Sequence, residues 1–175
     1  MATERLAPDD EVAFRRAVAR LGLTDEGAIA AGLRHMRART LQRGELLLRA
    51  GEPATLAGVL ITGLLREYFV TERGVERTKS IVTPLQLTGS LADLLSGEPS
   101  RASIVAEERS RVVMAPYAAL RALEAEWPAW AALQRRSLEH LLRYKAKREY
   151  EFLCLNAEER YAAFLAAHPE SCRPV

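Results

Sequence analysis

Hydrophobic positions change their spacing twice along this chain. In the N-terminal part they recur at helical intervals: Val12, Ala13, Phe14, Val18 and Leu21 follow Asp9 and Asp10, which can cap the run, and Gly22 stands where a left-handed stop belongs. A second helical run opens at Thr24, carries Asp25 and Glu26 in its first turn, and continues through Ile29, Leu33 and Met36. From Leu41 to Met114 the apolar or alternating runs are short and are separated by Gly and Pro, a pattern that predicts strands. The candidates are Glu45 to Leu48, Gly58 to Thr62, Leu64 to Val70, Glu76 to Val82, Ser103 to Ala106 and Arg111 to Met114. Turns fall at Gly51-Glu52-Pro53, Thr62-Gly63, Glu72-Arg73-Gly74 and Gly97-Glu98-Pro99. No crossover helices lie between these segments, so the expectation is an antiparallel sandwich or small barrel rather than a parallel sheet.

After Pro116 the strand pattern stops. Residues 117 to 153 read as helix with a break at Pro128. Stepping from Trp130 at helical intervals meets Leu133, Leu138, Leu141, Tyr144, Arg148 and Phe152, while Arg135, Arg136, Arg143, Lys145 and Lys147 make the opposite face basic. A helix of this length extends about 37 Å, farther than a small barrel can cover. A homodimer formed through Trp130, Leu133, Leu138, Leu141 and Tyr144 is therefore expected. A last helix opens at Asn156, where Glu159 is placed to complete a capping box, and closes at Pro169.

Composition narrows the function classes. With 49% apolar side chains in 175 residues the chain is globular, not a disordered tail. It has no apolar run long enough to span a membrane, and charges interrupt its first twenty residues, which argues against a signal peptide; a cytoplasmic location is expected. The net charge of +2 creates no whole-chain attraction for nucleic acid or lipid, so contact with DNA would need a local patch. Cys154 and Cys172 have no metal-ligand spacing and read as reduced thiols. His35, His140 and His168 all fall on helices outside the strand region. A barrel enzyme with a histidine cluster on its strands, or a haem bound inside the barrel, is thus not expected.

One segment has the chemistry of a ligand cradle, running from Leu87 through Gly89, Ser90, Leu91, Ser100, Arg101 and Ala102 to Ser103. It combines a Gly that lets the backbone approach, a short helix, and an arginine that can fork onto an anion. Together with the two N-terminal helices, Arg43-Gly44-Glu45, Gly63-Leu64-Leu65-Arg66-Glu67-Tyr68-Phe69 followed by Gly74, the long helix, and Asn156-Ala157-Glu158-Glu159-Arg160-Tyr161, it resembles the sensor domain of the Crp/Fnr (catabolite activator) family of bacterial transcription regulators.

The resemblance covers about residues 11 to 170. It implies a mainly β fold with helices: a cyclic-nucleotide-binding jelly-roll β-barrel with N-terminal helices (11–127), a long C-terminal dimerisation helix (128–155), and a remnant (156–175) of the linker to a winged helix-turn-helix. The candidate phosphate cassette comprises Gly89, Ser90, Leu91, Ser100, Arg101, Ala102 and Ser103. In the family's cyclic nucleotide binders the cassette Gly is followed by Glu, and the phosphate arginine by Ser or Thr; here Ser90 and Ala102 stand there, and the Gly-to-Arg interval is one residue longer than in cyclic AMP binders. A cyclic nucleotide is therefore disfavoured, no cofactor is assigned, and a small anionic ligand remains open. The family's redox branch has an N-terminal cysteine cluster that this chain lacks, so an iron–sulfur oxygen sensor is not expected. DNA is a partner only if a helix-turn-helix follows Val175; the alternatives are contact through the basic C-terminal helices, or true cyclic AMP binding.

Overall fold

A computed structural model describes residues 3–167. Helices α1 (Pro8–Arg20) and α2 (Glu26–Leu33) precede eight strands, β1 (Arg37–Leu41), β2 (Leu46–Leu48), β3 (Leu56–Thr62), β4 (Leu65–Val70), β5 (Glu76–Val82), β6 (Leu87–Thr88), β7 (Ser103–Ala106) and β8 (Ser110–Pro116). The short α3 (Leu91–Ser96) lies between β6 and β7, and α4 (Tyr117–Glu126), α5 (Pro128–Cys154) and α6 (Ala157–Ala167) follow. Two strands escaped the sequence pattern. In β1 the run Arg-Ala-Arg-Thr-Leu hides an interior-facing Arg39, and β6 is only two residues long. The second helix ends at Leu33, so Met36 lies in the connection to β1 rather than on a helix. Asp25 caps α2, accepting from the Ala28 amide at 2.9 Å. Asp10 caps α1 from inside its first turn, accepting from the Ala7 amide at 2.8 Å.

The strands form two four-stranded antiparallel sheets, β1-β8-β3-β6 and β2-β7-β4-β5, a jelly-roll-like sandwich rather than one closed barrel. The first sheet is buried on both faces. Ala38, Val59, Ile61, Val113 and Ala115 face a core with Phe14, Val18, Ile29, Leu123 and Trp130, whereas Leu41, Leu60, Val112 and Met114 face Leu65, Ile104 and Ala106 of the second sheet. Period-two alternation makes these two sets distinct, and double burial makes β3 and β8 read as unbroken apolar runs.

Two compact units are present, Met1–Leu133 and Gln134–Val175, and α5 runs through both. In the first, the Trp130 indole donates to the Ala28 carbonyl at 2.8 Å and occupies the space beside Gly32, where a Cβ would lie 2.2 Å from the ring. Trp130 is 5% exposed and Leu133 7%. This corrects their assignment to a dimer interface: the first turns of α5 spend their apolar face on the chain's own helical core. The last helix was expected to reach Pro169; its end, like Cys172, lies outside the described residues. Among the described residues no helix is long and apolar enough to cross a membrane.

One ion pair ties the N-terminal helix to the sandwich. Asp10, 2% exposed, receives both Nε and Nη2 of Arg111 at 2.7 Å, and the Arg111 Nη1 reaches Thr40 and Glu4 at 3.0 Å. These hydrogen bonds hold the Asp10 carboxyl below the ordinary aspartate range, against the opposing effect of burial. Arg111→Met leaves a buried, unpaired carboxylate and is expected to cost about 3 kcal/mol in urea unfolding at neutral pH. Because the folded value is the lower one, the pair's contribution is complete above the ordinary aspartate pKa and is lost as pH falls through the folded value. The gap between variant and unaltered chain should therefore narrow in acid, and a gap independent of pH would show that Asp10 is not the group responsible.

Candidate cyclic-nucleotide cassette

The cassette begins where β6 ends. Gly89 has φ +113°, and a Cβ there would lie 2.7 Å from the Leu56 carbonyl oxygen, so both conformation and close approach to β3 require glycine. Ser90 precedes α3, half-buried Leu91 opens it, and Gly97, at φ +74°, ends it with its amide on the Asp93 carbonyl. The return segment is pinned to the turn before β3: Ser100 donates its amide to the Glu52 carbonyl at 2.9 Å and accepts from the Gly51 amide at 2.7 Å. Ser103, at the start of β7, accepts from the Ala50 amide at 3.0 Å.

This pinning decides which side chains face inward. Ser90, Ser100, Ala102 and Ser103 are buried, and Arg101 is exposed. Of the two neighbouring residues, it is Ser100 whose side chain is turned in. Both buried hydroxyls meet one carboxylate. Ser90 Oγ lies 2.6 Å and Ser100 Oγ 2.7 Å from Asp93 Oδ2, and Ser100 Oγ is also 2.9 Å from the Ala102 carbonyl oxygen.

Burial works against the charge on Asp93, but the two serine hydroxyls and the positive charges of Lys79 and Arg101 outweigh it and hold its carboxyl below the ordinary aspartate range. Lys79 is itself paired with Glu67 at 2.5 Å, and the Ser80 hydroxyl donates to the same carboxylate at 2.8 Å. Glu67 stands opposite Ser80 across β4 and β5, beside a bulge that brings Lys79 to it. The hydroxyl of Thr88, next to Gly89, is buried with no hydrogen-bond partner among the described residues.

Sequence reading missed Asp93, Glu67, Lys79 and Ser80. The spacing of Ser90 and Asp93 around a helix start was a usable signal, since it matches side-chain reach over one turn. The Glu67–Lys79 pair was not, because the bulge decides its register. No group of three or more His, Cys, Asp or Glu that could hold a metal occurs among the described residues.

Residues 38–126 match the family model of the cyclic nucleotide-binding domain. The chain belongs to this family. Among curated proteins it is similar to the fumarate and nitrate reduction regulatory protein of Vibrio cholerae, 30% identical over 135 residues, which are 74% of this chain and 51% of that protein. Among solved structures, a cyclic nucleotide-binding domain from Methylobacillus flagellatus superposes with a TM-score of 0.73 at 18% identity, covering 87% of this chain and 86% of that one. The Thermus thermophilus catabolite activator protein gives 0.63 at 22% identity, covering 74% and 60%. The resemblance to the Crp/Fnr family read from the sequence is borne out, and the chain spans about half the length of the curated relatives it matches. In this cyclic nucleotide-binding domain the polar groups brought together between residues 89 and 103 are serines and an aspartate.

Ser100→Ala removes one of the two hydroxyls on a partly buried carboxylate and should lower stability by about 1.5 to 3 kcal/mol, the worth of a hydrogen bond to a charged group. Thermal unfolding checks this; an unchanged midpoint would mean that the Asp93–Ser100 contact contributes nothing.

Proposed function

We propose that this chain is the ligand-sensing and dimerisation part of a Crp/Fnr-type transcription regulator, and that its cassette no longer holds cyclic AMP. The observation that carries the reading is that buried Ser90 and Ala102 stand where the pattern of the family's binders has a glutamate and a Ser or Thr, while Arg101 is exposed. A ribose carboxylate contact and a phosphate-side hydroxyl are together worth about 2.5 to 4 kcal/mol, or about two to three orders of magnitude in affinity. Arg101, exposed, is not turned inward to replace them. Titration calorimetry on the purified chain, first freed of bound ligand, should show cyclic AMP binding weaker than low micromolar; low-micromolar binding would overturn the reading.

Dimerisation is assigned to the part of α5 beyond Leu133. Leu138 and Tyr144 are about one-third exposed and Leu142 is 70% exposed, with half-buried Leu141 between them. This stripe suits a second copy of the same helix, because a twofold axis presents each apolar position to its own equivalent. The unaltered chain should scatter light as a dimer at tens of micromolar, and Leu141→Lys, which would place two charges at the axis, should make it a monomer. A monomeric unaltered chain would end this assignment.

No sequence-specific DNA binding is assigned to the described helices. In α6 the one described basic residue, Arg160, is engaged with the Leu155 carbonyl at 2.6 Å and with the Phe152 ring at 5.5 Å. The basic face of α5 is partly neutralised by Arg135–Glu139 and Lys147–Glu151 pairs. Any DNA contact by this chain should therefore vanish on raising salt; a shift on one promoter that survives salt and excess random DNA would contradict this.

A further inference from the structure

The cassette contains an anion of its own. Each serine hydroxyl has one proton to give. The Ser90 hydroxyl gives its proton to Asp93, and the Ser100 hydroxyl lies between Asp93 and the Ala102 carbonyl, so both donors are engaged before any ligand arrives. The nearby cations are engaged as well. Lys79 is bonded to Glu67, and its charge and that of Arg101 act on the Asp93 carboxylate. A phosphate entering between Ser90 and Ser100 would meet a fixed negative charge, spent hydroxyls and offset cations in a half-buried site, where repulsion is screened far less than in water.

We infer that Asp93 is the specificity-determining residue of the cassette: its carboxylate fills the place of a ligand's anionic group, so that the chain rejects phosphates and phosphodiesters and accepts them once that charge is removed. This rests on the reading of residues 89–103 as the ligand seat and goes beyond it. Absence of the binders' glutamate and of the hydroxyl after the arginine only weakens binding, whereas a fixed carboxylate opposes it. In the Asp93→Ala chain the Ser90 hydroxyl loses its acceptor, the Ser100 hydroxyl keeps only the Ala102 carbonyl, and the positive charges of Lys79 and Arg101 are no longer offset at that point.

The test is calorimetric titration of the unaltered chain, Asp93→Ala and Asp93→Asn with cyclic AMP and, separately, with inorganic phosphate. Asp93→Asn keeps the side chain's shape and an acceptor for the serines, so it carries the test if Asp93→Ala fails to give a cooperative thermal transition. Removal of the charge should strengthen binding of at least one probe by about tenfold or more. Adding Lys79→Ala to the variant should reverse most of the gain. A gain for phosphate alone supports the inference and identifies the seat as one for a small anion; a gain for cyclic AMP supports it and shows that the nucleoside still fits. If the unaltered chain binds weakly and folded variants bind no better, the inference about Asp93 fails while the reading of a degenerate cassette stands. If the unaltered chain already binds cyclic AMP at low micromolar concentration, that reading fails too, since Asp93 then excludes nothing.

Discussion

Strands β3 and β8 are buried on both faces, and most of the architecture follows from the need to keep both faces dry. Residues of one parity, such as Leu60 and Val112, are covered by the second sheet, and those of the other, such as Val59 and Val113, by helices. A slip of one residue in register would exchange the two sets and send each into a core shaped for the other. The helical cover must therefore be complete, and the chain draws it from both ends of the first unit: α1 and α2 from the N-terminal side, Leu123 and the start of α5 from the other. Trp130 lies across Gly32 because a helix–helix contact this close admits a large ring only where the facing residue has no side chain. The same close packing recurs at Gly58, where a Cβ would lie 1.9 Å from the Val113 carbonyl.

Several charges enter this dry framework in pairs. Asp10 and Arg111 join α1 to β8; Arg39, facing inward from β1, is matched by Glu45; Lys79 and Glu67 meet beside the cassette. An isolated charge in such surroundings is costly, whereas a paired and hydrogen-bonded one is tolerated. The cassette obeys this rule too. With serines at its two inward positions, it has a carboxylate that satisfies them and is satisfied by them. Backbone geometry at Gly89 and Gly97 shapes this segment, and a few side chains set its polarity.

Much of the fold could be read along the chain. The change from helical spacing to short runs and back located the N-terminal helices, the strand region and the break at Pro128, because amphipathic periodicity and proline chemistry are local. The strand Glu76–Val82 was read with its observed bounds, helped by the turn at Gly74. The strand β1 was not legible, because its interior-facing arginine looks like a surface residue until Glu45 is brought beside it by the fold. The end of α2 failed for a related reason: Met36 fits the helical spacing, but its burial comes from the helix–sheet core and not from a helix of its own.

The sequence by itself determined the fold class and the family, since each depends on residue type at a position or on short-range spacing. Only the tertiary structure decided which residues of the cassette face inward, that Ser100 and not Arg101 takes the inner place, and that Asp93 joins the two serines. It also decided that Trp130 and Leu133 are buried in the chain's own core. These outcomes turn on the direction of side chains and on contacts between segments far apart in sequence. Neither is encoded in periodicity, because a single bulge or one extra residue reverses the direction in which every following side chain points.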